Sequence, residues 1–157
     1  MKRLLACIII AAVAASSSEG RKRRSTLRVH LEANAHDSDV FSTQLRSATT
    51  GRNITIEKVP TISEFDVASF RAYPAADGTF GVLFQLNDHG KLALDTLSID
   101  RRGTMLYLFV NGRPAAELQI DRRVADGKLY VPSGMTASDI ELMKNDWPAS
   151  GVSKKRP

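Results

Sequence analysis

The chain has 157 residues, with 22 Lys and Arg against 17 Asp and Glu, a formal net charge of +5, and a hydrophobic fraction of 43%. Such a length and composition fit one globular domain and exclude collagen-like, disulfide-scaffold and largely disordered chains. The positive charge lies at the ends: residues 25–152 hold 13 Lys and Arg against 16 Asp and Glu, and no basic run carries the interleaved aromatics that nucleic-acid binding uses.

Lys2 and Arg3 open the chain, and Leu4 to Ala15 follows as an unbroken run of twelve small or apolar residues. A membrane-crossing helix needs roughly 20 apolar residues, whereas the apolar part of an export signal needs about 7–15. The run predicts a signal peptide over 1–14, with Ala12-Val13-Ala14 as the small-x-small cleavage pattern. Leu4-Leu5-Ala6-Cys7 imitates a lipoprotein processing site, but too little apolar chain precedes Cys7 for lipid attachment there. Residues 15–24 form a basic leader containing Arg21-Lys22-Arg23-Arg24. Positive charge just beyond a signal opposes translocation, so an uncleaved membrane anchor is the alternative to a periplasmic or secreted location. Removal of 1–14 leaves no cysteine, which excludes disulfides, thiolate metal sites and cysteine nucleophiles.

The body alternates strand and helix signals. Leu27, Val29, Leu31 and Ala33 alternate with Arg28, His30 and Glu32, the period of a strand with one wet face. Asn53–Val59 is β-prone and stops at Pro60. Ser63-Glu64-Phe65-Asp66 predicts a capped, short helix ahead of Tyr73-Pro74 and the Asp77-Gly78 turn. Phe80, Val82, Phe84 and Leu86 line one face of a strand, Asn87-Asp88 offers caps, and Ala93, Leu94 and Leu97 share one side of the next helix. Thr104–Val110 is apolar on both faces, as in a central strand. Asn111-Gly112 predicts a type I′ turn, which needs φ > 0 at both positions. Leu118–Ile120 returns from that turn, and Leu129-Tyr130-Val131 follows the Asp126-Gly127 turn. Thr136 and Asp139 form a second capping pattern ahead of Ile140, Met143 and Trp147, and Pro148 stops that helix.

These elements predict an α+β fold: a single mixed or antiparallel sheet with two to three short helices packed on one face. The folded domain is expected over 25–148, followed by a basic disordered tail, 149–157, carrying Lys154-Lys155-Arg156.

Candidate chemistry is sparse. His30, His36 and His89 have no metal-ligand spacing. His36, Asp37 and Asp39 read as a capping loop before a cation site. Asp88-His89 with Asp95 lacks a nucleophile elbow. Asp121 and Asp126 flank Arg122-Arg123 and predict surface ion pairs. Asn53-Ile54-Thr55 is a glycosylation sequon by pattern. Trp147, Tyr130 and Tyr107 offer a binding surface, though aromatics at these spacings are more often core. No cofactor, metal or catalytic residue is expected.

Residues 80–146 resemble the head subdomain of the first periplasmic domain of SecD/SecDF protein-export subunits. The resemblance rests on Leu86-Asn87 and Gly90 entering a helix, Thr96 where that helix ends, and Gly103 before the apolar strand. Asn111-Gly112, Gly127, Gly134 and Thr136 complete it. Those subunits carry several transmembrane helices, which this sequence lacks beyond its signal. Their usual Pro is missing from Ala115-Ala116-Glu117, and Trp147-Pro148 replaces a strand. The resemblance implies a free-standing, exported relative of that head, binding extended polypeptide or an envelope protein and driving no motor. A structural protein held to anionic surfaces by its basic ends and a small hydrolase using a histidine are the competing readings.

Overall fold

A computed structural model describes residues 25–34 and 40–150. The predicted signal, leader, His36 loop and residues 151–157 of the tail lie outside the described residues. Nine strands, two α-helices and one 3₁₀ turn make up the described chain. The fold is α+β, as the patterning predicts, but its strands divide among antiparallel sheets of four, three and two strands instead of one sheet.

The four-stranded sheet sets β1 (Leu27–Leu31) between β4 (Ile62–Ser63) and β7 (Met105–Val110), with β8 (Arg113–Gln119) on the far edge. The apolar Thr104–Val110 run is interior here, since β7 pairs with β1 through Val29↔Leu108 and with β8 through Leu108↔Ala116. Asn111 (φ 52°) and Gly112 (φ 78°) make the tight turn from β7 to β8. Both lie in the left-handed region, where Asn and Gly are the least strained residues.

The three-stranded sheet sets β6 (Phe80–Leu86) between β5 (Val67–Pro74) and β9 (Lys128–Met135). Ser63 and Asp66 do form a reciprocal capping box, but it caps a three-residue 3₁₀ turn, Glu64–Asp66, and the chain then runs on as β5. The bulge between Val67 and Ser69 breaks the alternation that would have marked the strand.

Helix α1 (Asp88–Asp100) buries Leu94 and Leu97, and α2 (Ala137–Asp146) buries Ile140 and Met143. These join Leu27, Val29, Leu108, Val110, Phe70, Val82, Phe84, Val131 and Met135 in one apolar cluster. Each such side chain contributes about 1.5–3 kcal/mol when fully buried. Trp147 is 2% exposed and closes this core, edge-on to Phe70 at 6.4 Å and to Phe84 at 6.2 Å.

The two-stranded sheet, β2 (Ser42–Arg46) with β3 (Asn53–Glu57), joins the four-stranded sheet through a Glu32↔Ile56 bridge at the end of β1 and reaches its outward face. His30, Tyr107 and Glu117 stand in one cross-strand row there. His30 Nδ1 hydrogen-bonds the Glu57 carbonyl at 2.8 Å, and Ser47 Oγ donates to Glu117 at 2.8 Å. Of the face that the β1 alternation marks as wet, Arg28 is exposed, while the hairpin leaves His30 and Glu32 half-buried.

The chain after α2 is also anchored. Phe70 N–H donates to the Pro148 carbonyl at 3.1 Å, and Ser150 N–H donates to the Phe70 carbonyl at 2.7 Å. Ala149 thus pairs in parallel with Phe70, so the first two residues assigned to the tail belong to the fold.

Candidate functional site

The residues carrying the SecD/SecDF resemblance sit at joints. Asn87 caps α1, accepting from Gly90 N–H at 2.9 Å and donating to the Phe65 carbonyl at 2.9 Å. Leu86 is buried at the end of β6, and its N–H donates to the Gly127 carbonyl. Gly103 lies in the turn after α1, its N–H on the Ile120 carbonyl. Thr96 does not end the helix: α1 runs on to Asp100, and Thr96 is exposed one turn earlier.

Asn111, Gly134 and Thr136 meet at a buried carboxylate. Asp139 is 6% exposed and accepts from Thr136 N–H at 2.8 Å, Thr136 Oγ1 at 2.7 Å and Asn111 Nδ2 at 2.7 Å. Arg113 also donates to it, and its other amino group reaches the Gly134 carbonyl at 3.2 Å. Burial raises the Asp139 pKa, but the hydrogen bonds outweigh it and hold the carboxyl below its ordinary value. The Asn111-Gly112 hairpin is thereby tied to α2 at its tip, so it is no free arm for a ligand.

The histidines serve joints as well. His89 bonds Asp66 at 2.6 Å, not Asp88 or Asp95. Burial raises the Asp66 pKa, and bonds from Ser63 and His89 bring it net below the ordinary carboxylate value. Asp95 instead takes Arg123 in a two-point ion pair at 2.6 and 2.9 Å. Asp126 pairs with Lys128, and the Asp121 carbonyl accepts from Arg102. Asn53, of the sequon, is exposed at the start of β3. Among the described residues, no three His, Cys, Asp or Glu side chains gather to hold a metal.

The aromatics divide differently from the sequence reading. Trp147 and Tyr107 are buried, while Tyr130 is 56% exposed. Its ring stacks on Tyr73 with centroids 5.6 Å apart and planes 6° from parallel. Tyr73 reaches across β6 to put its hydroxyl on the Val131 carbonyl at 2.7 Å. It does so over Gly81, where a Cβ would collide with the Tyr73 ring and the Pro132 carbonyl. Burial first, then Tyr130, pushes the Tyr73 phenol above its ordinary value, so it stays protonated and donating at neutral pH.

The two rings, Pro74, Pro132, Ala75 and Ser133 line a shallow groove of about 420 Å³, with Asp77 on its rim. The hydroxyl and amide of Thr79 hold Asp77 below its ordinary value, so the rim carries a negative charge at neutral pH. The groove reaches the end of β5 at Tyr73 and Pro74, where no strand of the described residues lies on the outer side of β5. Phe70 points its amide and carbonyl away from β6, and antiparallel alternation sends those of Ala72 and the Pro74 carbonyl the same way. Pro74 has no N–H and suits an edge position.

Comparison with solved structures finds the same fold in SecDF, a membrane component that enhances protein export, at 16% identity and a TM-score of 0.55. The match covers 82% of this chain and 65% of that one. SecDF in its super-membrane-facing form matches with the same identity and TM-score over 20% of its chain. The likeness extends well beyond residues 80–146, so the first half of the domain, which carries no sequence resemblance, shares the fold. This chain spans less than two thirds of the first SecDF chain and a fifth of the second. No family model and no curated protein matches the sequence. Among the described residues, no helix is long and apolar enough to cross a membrane.

Proposed function

We propose that the protein is an exported, non-catalytic binding module that holds extended polypeptide, or an extended segment of an envelope protein, along the outer edge of β5. The observation that carries this reading is the edge itself. It already takes main chain in parallel at Ala149 and Ser150, and the next outward groups, at Ala72 and Pro74, belong to an edge strand. An edge with that geometry supports strand addition, in which backbone bonds supply affinity with little demand on sequence. Fold similarity to SecDF, which enhances protein export, supports a role beside polypeptide in transit.

The test is retention on the immobilised full chain of an unfolded model polypeptide, with its folded form as control. The reading expects retention of the unfolded form only, weakened by Ala72→Pro, which removes the outward N–H at a position where an edge tolerates proline. Equal treatment of the two forms would sink it.

A further inference from the structure

We propose that the Tyr73–Tyr130 groove docks an extended partner segment carrying proline next to a basic residue, and so selects which polypeptides the β5 edge accepts. This rests on the reading of β5 as a polypeptide-binding edge.

The edge stops offering hydrogen bonds after Ala72. Ala72 is the last outward residue of β5 with an N–H, because Pro74 has none. A segment running past Ala72 cannot continue a regular ladder. Polyproline II needs no ladder, since its backbone is satisfied by water, and it starts with little conformational freedom to lose. It is the conformation that fits beyond Pro74.

What lies there is suited to proline rings. The floor is a stacked tyrosine pair flanked by Pro74 and Pro132. Aromatic-lined grooves recognise proline-rich segments because flat rings pack on the pyrrolidine faces. The platform is held before any ligand arrives: Tyr73 is fixed by its bond to Val131 and by the closeness of Gly81. Such preorganisation lowers the ordering cost of binding. Tyr130 meanwhile remains more than half exposed, which leaves aromatic area to be covered.

Charge gives the second half of the ligand. Asp77 is exposed, ionised and on the groove rim. A Lys or Arg beside the docked proline would meet it. Other exposed apolar side chains give no such direction. Val40, Phe41 and Val59 surround one end of the β2–β3 hairpin beside Lys58, and among the described residues they line no groove there. The cleft between Leu45 and Tyr107 measures about 60 Å³, room for water and little else.

The experiment measures anisotropy of three labelled decapeptides against the full chain: one with Pro-Pro-x-Pro-Arg, one with its prolines changed to Ala, and one with Arg changed to Glu. Expected is tightest binding of the first peptide, about tenfold weaker for the second. Tyr130→Ala should abolish that preference while keeping the circular dichroism melt of the native chain. Asp77→Lys should invert the choice between the Arg and Glu peptides. Indifference to proline, or an unchanged affinity in Tyr130→Ala, overturns the proposal. Retention of unfolded polypeptide without peptide discrimination leaves the β5 reading standing and removes the groove. Discrimination that survives Ala72→Pro, with no retention of unfolded polypeptide, keeps the groove and removes the edge. Binding that appears only after Lys154, Lys155 and Arg156 are changed to Ser assigns the groove to this chain's own basic segment and overturns an outside partner.

Discussion

Asp139 and Asp77 begin from the same local chemistry and end in opposite roles. Each accepts from the backbone amide and hydroxyl of a nearby threonine, Thr136 in one case and Thr79 in the other. Around Asp139 the β7–β8 hairpin then folds in, adding Asn111 and Arg113 and burying the carboxylate to 6% exposure. Asp77 also takes a side-chain bond from Ser133 of β9, yet it stays exposed beside two tyrosine rings. A capped aspartate becomes a structural joint when a second hairpin buries it, and stays an available charge when it faces water.

The largest break in that contrast should come from Asp139→Ala, which leaves Asn111 and Arg113 without their acceptor. Removing one partner of a buried pair costs about 3–5 kcal/mol. Arg113 is 39% exposed and water can take up part of its charge, so a loss of about 3 kcal/mol in a urea unfolding series is expected. Acid should act through the same carboxyl and through Asp66. Both titrate lower in the folded chain than the ordinary 3.8 expected on unfolding. The unfolded state therefore binds protons first as pH falls, so stability is full above about pH 5 and drains as pH drops through the folded values. Asp139→Asn should flatten that slope in unfolding curves taken at successive pH values; an unchanged slope would show that Asp139 does not carry it.

A smaller effect is expected from Thr136→Ala, which removes the α2 cap and should cost about 1 kcal/mol by chemical denaturation. Smallest is Asp77→Asn, with a melting temperature indistinguishable from the native chain and a weaker response to arginine-bearing peptides. A large stability loss there would erase the contrast between the two carboxylates.

The sequence reading succeeded where one residue type meets one geometric demand. Asn111-Gly112, the Thr136–Asp139 box and the Asn87 cap needed no tertiary context, because turns and helix ends are satisfied within a few residues. Strand β2 is not legible in the sequence, since its Ser-Thr-Gln-Leu-Arg buries only Ser42 fully and has no apolar alternation. Strand β5 reads as a helix and turn because a genuine capping box precedes it and a bulge scrambles its pattern. The groove was less legible still. Tyr73 sits in what reads as a Tyr-Pro turn, and Tyr130 stands in a different strand far along the chain. Only the register of β6 between β5 and β9 brings the rings together.

The placement of β1 bears on the order in which the molecule can be assembled. Apart from β4, its neighbours in space are distant in the chain: Thr26 N–H meets the Asn111 side chain 85 positions away, and Ser25 N–H meets Asp146, 121 away. The entropy of closing such loops grows slowly, adding about 0.6 kcal/mol for each doubling of length, but it must be met before any contact repays it. Topologies dominated by these distant pairings fold in milliseconds to seconds, slower than locally connected helical proteins. When the chain appears from its amino end, Leu27–Leu31 has no β7 to pair with until Val110 has been delivered. The leading strand therefore lacks its long partner until most of the domain has followed it.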